Sequence, residues 1–438
     1  MSALPGKTKV PPILLSACLL FAFLLASVAI SRADDRAQKS LACSACRGLI
    51  DQMKGPNDEP YFLQSFGAAN SDSHLHPTLE NTAFTYDNAV AAIALYACGR
   101  PTEARRIADA LVRAVETDRY YKDGRLRNAY RSGVPVRDRA IELPGYWSNP
   151  ENRWIEDGYQ VGSHTGSTAW GALALLTAYD ETGEQAFLHS AQRIMKWINT
   201  NTADVVEPGY FGGFFGHEPK PERLSWKSTE QNTDVYAANI WLAKINPLGG
   251  WRNQADSAER FLTSMWDKGE GRFFIGTVTD SSKPNFTSSG IDALLWPLIA
   301  VPSLTERSAD VIAWTETNHG VPGGFDFNSD RDGVWLEGTA QAALVYRLLS
   351  DKTKAETLFS TIADQVASNN LVYATDKDQI TTGLEVGPGS TPGDFKYYRL
   401  PHVGATAWAA LAALDWNPFV GRSAAVPTDD VRICHEKP

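Results

Sequence analysis

The sequence predicts an all-α protein, an (α/α)6 barrel of six inner and six outer helices with short loop or β-hairpin insertions at one end. Three observations carry this. Ala-rich segments that are apolar on nearly all sides alternate with amphipathic ones. A short polar segment with helix-capping composition marks the start of each inner helix. These polar segments recur about every 50 to 80 residues, room for one buried helix, one surface helix and their loops.

Residues 1–33 read as an export signal. Lys7 and Lys9 precede an apolar run from Ile13 to Ile30, and Ser31-Arg32-Ala33 offers small residues for cleavage. Uncleaved, the same run is long enough to anchor the chain in a membrane. Leu15-Ser16-Ala17-Cys18 has the form of a lipidation box, but most of the apolar run follows Cys18. Residues 34–74 form a Cys-containing extension, 75–420 the barrel and 421–438 a C-terminal tail. Cys43, Cys46, Cys98 and Cys434 remain after cleavage, an even number that permits two disulfides in any of three connectivities. Cys43-Ser44-Ala45-Cys46 lacks a following His and a second CxxC, against haem attachment and a zinc ribbon; these cysteines read as structural staples.

The all-round apolar segments are Ala89–Ala97, Gly171–Tyr179, Tyr236–Ala243, Ala340–Tyr346 and Ala405–Leu414. A helix with no polar face has to be buried on all sides. Thr102–Glu116 is amphipathic: Ala104, Ile107, Ala108, Leu111, Val112 and Val115 share one face. Gln185–Ile198, Gln254–Trp266 and Lys354–Val366 repeat that character. The inner helices begin at Thr85–Asn88, His164–Trp170, Ser228–Asp234, Ser288–Asp292, Trp335–Thr339 and His402–Thr406. In a closed barrel all six start at the same end, so their acids and aromatics converge. An open α-solenoid would not need that concentration. Gly209–Gly216, rich in glycine and aromatics, reads as a lid, a binding wall or a simple tight turn at this end.

Composition narrows the function. Of 438 residues, 41 are Lys or Arg and 51 Asp or Glu, a net charge of −10, with no basic cluster beyond residue 33. That balance argues against nucleic acid or an anionic membrane surface as partner. No GxSxG, Walker loop or GxGxxG stands in a proper context, and no cofactor is expected. Asp326, Asn328, Asp330 and Asp332 alternate as calcium ligands do, with Glu337 at the twelfth position. The glycine an EF-hand needs at its sixth position is here Arg331, so the segment reads as a solvated turn and no metal is expected.

Tyr86-Asp87-Asn88-Ala89, His164-Thr165-Gly166-Ser167-Thr168-Ala169-Trp170, Lys227–Asp234 and Trp335–Gln341 carry a resemblance to the six-hairpin glycosidase superfamily over about residues 75–416. The resemblance implies a cleft at the inner-helix starts, a carbohydrate substrate, and carboxyl groups as acid and base. The superfamily also holds phosphorylases, lyases and sugar epimerases, so it does not fix the reaction.

Glycoside cleavage needs two carboxyl groups, one protonated and one ionised. Asp87, Glu230, Asp234, Asp292 and Glu337 are available, although helix N-termini attract acids for capping alone. Glu230 and Asp234, spaced i and i+4, would push one proton affinity upward. Glu337 and Asp87 rank first as catalytic groups because each adjoins or nearly adjoins an aromatic, Trp335 or Tyr86; Glu230 follows. Tyr86, Asn88, His164, Trp170, Trp226, Asp234, Asp292, Trp335 and His402 are expected to bind substrate; the chain carries 13 tryptophans, whose faces suit pyranose rings. The expectation is a periplasmic, secreted or membrane-anchored glycoside hydrolase acting on a poly- or oligosaccharide. The alternatives are a lyase or epimerase on the same barrel, or a saccharide-binding solenoid without turnover.

Overall fold

A computed structural model describes residues 37–68, 75–280, 282–349, 351–391 and 393–421. The expected signal at 1–33, the tail from 422 and Cys434 lie outside them. Residues 37–51 form α1. Then come α2 (Thr85–Ala97), α3 (Pro101–Thr117), the one-turn α4 (Gly158–Val161), α5 (Thr165–Thr182), α6 (Gln185–Asn201), α7 (Thr229–Ile245) and α8 (Trp251–Ser264). The last are α9 (Ile291–Ala300), α10 (Ser308–Asn318), α11 (Leu336–Leu348), α12 (Lys352–Asp364) and α13 (Val403–Ala413). The inner ring runs α2, α5, α7, α9, α11, α13, and α13 packs back on α2. No helix among the described residues is long and apolar enough to cross a membrane.

The connections into the inner helices carry the strands, all antiparallel. β1 (Thr82–Phe84) pairs β2 (Ala129–Arg131), and β3 (Tyr146–Ser148) pairs β4 (Arg153–Ile155). β5 (Ser163–His164), β6 (Gly213–Phe215) and β7 (Glu222–Leu224) form one sheet. β8 (Trp266–Asp267) pairs β9 (Arg272–Phe273), β10 (Gly320–Val321) pairs β11 (Gly324–Phe325), and β12 (Gln379–Thr381) pairs β13 (Lys396–Tyr398). Gly209–Gly216 therefore supplies β6 of the three-stranded sheet.

Five outer helices follow their inner partners in sequence; the sixth is α1. Gln38 Nε2 donates to Ala413 O at the end of α13, 2.8 Å away. Cys46 is disulfide-bonded to Cys98 at the end of α2. Leu41, Ala45 and Leu49 join the same core as the inner helices. The described part of the 34–74 extension thus packs into the barrel. Cys43 is also disulfide-bonded, and the pairing of Cys46 with Cys98 excludes a bond within the CxxC.

The inner helices are tied at their first residues. Thr85 N donates to Asn128 O, Thr165 N to Gly212 O, Thr229 N to Ile275 O, Ile291 N to Phe327 O, Leu336 N to Ala374 O, and Val403 N to Ser65 O, at 2.8–3.1 Å. Each acceptor lies in the segment leading to the next inner helix, so six bonds close a circle. Side-chain capping was expected at all six starts, but only Ser228 and His402 provide it. Elsewhere the neighbouring repeat satisfies the first orphan donor. Asn88 reinforces the circle: its Oδ1 accepts from Leu63 N at 2.8 Å, and its Nδ2 donates to Leu63 O and Phe84 O, both at 3.0 Å. Asn232 holds Tyr210 in the same way. Asn88→Ala should cost about 1–3 kcal/mol in chemical denaturation by stranding both backbone groups of Leu63.

Candidate active site

The inner-helix starts surround a cleft of about 730 Å³. Counting from the first helical residue, the second position of the six inner helices is Tyr86, Gly166, Glu230, Asp292, Glu337 and Gly404. The first five line the cleft. Three carboxyl groups therefore come from the consecutive helices α7, α9 and α11. Tyr86 faces them from α2, and the walls carry Trp226, Trp335, Tyr159, Tyr397 and His164.

One turn deeper, at i+4, stand Trp170, Asp234, Trp296, Gln341 and Trp408. Trp296 lies 5.4 Å from Trp170 and 5.6 Å from Trp408 between ring centroids, making an aromatic floor. Charge is poorly solvated on such a floor. Burial, then Asp292 and Glu337, push the Glu230 carboxyl well above its ordinary range. Burial raises Asp292 to about 6. Asp234 sits beneath Glu230, wholly buried; burial and then Glu230 drive its proton affinity well up. Neither Asp234 oxygen has a hydrogen-bond partner, although the Trp170 indole is close.

Glu337 is held differently. Trp408 Nε1 donates to Tyr86 Oη at 2.7 Å, and Tyr86 donates to Glu337 Oε1 at 2.5 Å. Gln341 Nε2 donates to the same oxygen at 3.3 Å. Burial raises Glu337 to about 7, against the pull of His402 and the Tyr86 hydrogen bond. The Tyr86 phenol, itself pushed well up by burial and Glu337, keeps its proton and stays a donor.

Asp87 and His402 do not line the cleft. His402 Nε2 lies 3.3 Å from Asp87 Oδ2, and its Nδ1 lies 3.7 Å from Glu337 Oε2. Burial works to lower His402, but Asp87 and Glu337 outweigh it and leave it raised. Asp87, one residue past the cleft-lining position of α2, thus acts on Glu337 from behind, raising it by its own charge while His402, held between them, lowers it. Gly404 makes the cluster fit. A Cβ there would stand 2.8 Å from both Asp87 Oδ1 and Glu337 Oε2, so those oxygens are within twice that distance of each other.

Of the residues singled out in sequence, Tyr86, Glu230, Asp292, Glu337, His164, Trp170, Trp226 and Trp335 share the cleft. Asp87, Asp234 and His402 form the layer behind it. Asn88 does not reach a ligand, since its side chain is buried and consumed by the 63–84 backbone. His164 Nε2 is buried without a partner, and burial lowers His164 to about 4, so a neutral imidazole faces the cleft. Tyr159, Phe395 and Tyr397 also line it and were missed. The aromatic run Phe395-Lys396-Tyr397-Tyr398, just ahead of His402, was the available signal.

Asp326, Asp330 and Asp332 bring carboxylate oxygens within 4.8 Å of one another. Glu337 is not part of that group. Burial and a hydrogen bond with Asp330 raise Asp326 to about 8. Phe327 N and Asp332 N donate to Asp326, while Thr381 donates through N to Asp332 and through Oγ1 to Asp330. The group braces β12.

Solved structures share the architecture. A glycosidase variant in complex with glucose superposes with a TM-score of 0.59 at 12% identity, covering 87% of this chain and 98% of that one. Cellobiose 2-epimerase from Bacillus thermoamylovorans gives 0.55 at 12%, covering 83% and 95%. A GH76 α-mannanase of Bacteroides thetaiotaomicron gives 0.50 at 13%, covering 86% and 95%. The fold is thus the (α/α)6 barrel of the six-hairpin glycosidases. No protein-family model matches the chain, and no curated protein matches it in sequence.

Two predictions follow from the cluster. Gly404→Ala should displace Glu337 and Asp87 and sharply reduce any turnover, with little change in circular dichroism. Asp292 and Glu337 bind protons more tightly folded than unfolded, where they titrate near 3.8 and 4.5. Their effect is therefore greatest stability below pH 4, lost progressively as pH rises through about 6 to 7. Asp292→Asn should raise the melting temperature more at pH 8 than at pH 4.

Proposed function

We propose that the chain is a carbohydrate-active enzyme that hydrolyses a glycosidic bond, with Glu230 as general acid and Glu337 as base or nucleophile. The observation that carries the reading is one floor with two differently held carboxyl groups. Burial and then Asp292 favour the protonated form of Glu230, as suits a group that donates to a leaving oxygen. Glu337 receives hydrogen bonds from Tyr86 and Gln341 and faces His402, all of which favour its ionised form. His402, oriented by Asp87, is a positioning residue for Glu337. The walls offer Trp226, Trp335 and Tyr397 to sugar faces and the neutral His164 to a hydroxyl.

The enzyme works outside the cytoplasm on this reading, with residues 1–33 as its export signal or membrane anchor. The Cys46–Cys98 disulfide supports an oxidising compartment. The architecture also serves cellobiose 2-epimerase. An epimerase working through a histidine pair would place both in the cleft; here only His164 among the described histidines lines it.

A panel of neutral and acidic polysaccharides tests the assignment, read by new reducing ends, by absorbance of unsaturated products and by sugar isomers. Glu230→Gln and Glu337→Gln should each lower hydrolysis about 10²- to 10⁴-fold with saccharide binding retained. Asp87→Asn should act less severely and shift the pH profile, as expected of a group behind Glu337. Unsaturated products would replace this reading with a lyase, and isomers without cleavage with an epimerase. Asp292→Asn should move the alkaline limb of activity to lower pH, because Asp292 helps hold the Glu230 proton.

A further inference from the structure

We infer that the cleft is a blind pocket that admits the end of a glycan chain and cuts next to that end, not at an interior bond. The inference rests on the glycosidase reading above. An interior cut needs the chain to leave the cleft on two sides, so two sectors of the rim have to be open. Here the rim is joined across the sector of α2.

The first bridge links loop 383–391, ahead of α13, to β6. A Cβ on Gly387 would stand 2.1 Å from Phe215 Cε2, so the bare backbone of residue 387 lies directly on the Phe215 ring. The same ring bears on Gly158, where a Cβ would stand 3.1 Å from Phe215 Cζ. Glycine at both places lets strand, loop and α4 meet. The second bridge is Phe395 against Tyr159, 6.4 Å between centroids. Under these bridges α2 contributes only Tyr86 to the cleft.

The roof is anchored at both ends. Asp394 accepts from Val386 N at 2.9 Å and from Thr391 N at 3.2 Å, and Phe395 N donates to Leu384 O at 3.2 Å. On the other side, buried Arg127 is paired with Asp118 at 2.6 Å and with Glu218, beyond β6, at 3.2 Å. The acidic turn at Asp330 and Asp332, through Thr381, fixes the hairpin that carries the loop. A cleft of about 730 Å³ also falls within the usual range of small-ligand pockets.

The test uses the whole mature chain and cello-, malto- and α-manno-oligosaccharides of graded length. Each is prepared free, with a bulky label at either end, and with labels at both. Turnover products and calorimetric binding are both recorded. The expected result is release of terminal units from free and singly labelled chains, with neither cleavage nor binding of doubly labelled ones. Which single label is tolerated identifies the end that enters. Phe215→Ala and Asp394→Ala, neither of which lines the cleft, should open the rim and let doubly labelled chains bind and be cut internally. Cleavage or equal binding of doubly labelled chains by the wild type would overturn the pocket and leave the hydrolase reading intact. Absence of cleavage with every sugar, with free chains bound and doubly labelled ones refused, would overturn the hydrolase reading and leave the pocket intact.

Discussion

Six backbone hydrogen bonds, one from the first residue of each inner helix to the segment leading into the next, determine where everything else in this molecule stands. They satisfy donors that a helix start would otherwise leave unpaired. They also set the rotation of each inner helix about its axis. Once the first residue is bonded sideways to its neighbour, the second turns toward the barrel axis. That is why Glu230, Asp292, Glu337 and Tyr86 meet, although they come from four different repeats. The i+4 layer beneath them follows from the helical repeat alone.

The site's chemistry is a consequence of that placement. Helix N-termini favour negative charge, and burial over Trp170, Trp296 and Trp408 disfavours it. Burial prevails at Glu230 and Asp234, which have neither cation nor charged donor beside them. At Glu337 the Trp408–Tyr86 relay and the His402–Asp87 pair restore part of the stabilisation of the charge. Two carboxyl groups with different partners then differ in proton affinity, the division of labour that acid–base catalysis requires. The arrangement weakens the fold toward alkaline pH, so the acids are not there for stability.

Much of this was legible in the sequence. Five Ala-rich apolar runs and six recurring polar starts specified the barrel, because a helix without a polar face has one place to go. The sixth outer helix was not legible. Residues 37–51 look like a Cys-bearing extension, and only the closed ring shows that α1 stands where the sixth outer helix is needed, no outer helix following α13 among the described residues. Within the site, the acids were visible but their rotation was not. Asp87 and Tyr86 are neighbours, and a one-residue uncertainty in the helix start decides which faces the axis. Asn88, expected to bind substrate, instead gives its amide to the 63–84 backbone. Tyr159 comes from the one-turn α4, Tyr397 from the three-residue β13 and Phe395 from the residue before it, elements too short for a periodicity to place them.

The central claim is that Glu230 holds its proton at neutral pH while the fold is intact. Infrared difference spectroscopy of the protonated carboxyl band, wild type against Glu230→Gln at pH 7, measures this directly. The account predicts that the substitution removes intensity from that band and that the loss disappears at a pH high enough to ionise Glu230. An unchanged carboxyl band at pH 7, with the loss falling in the carboxylate band instead, would contradict it.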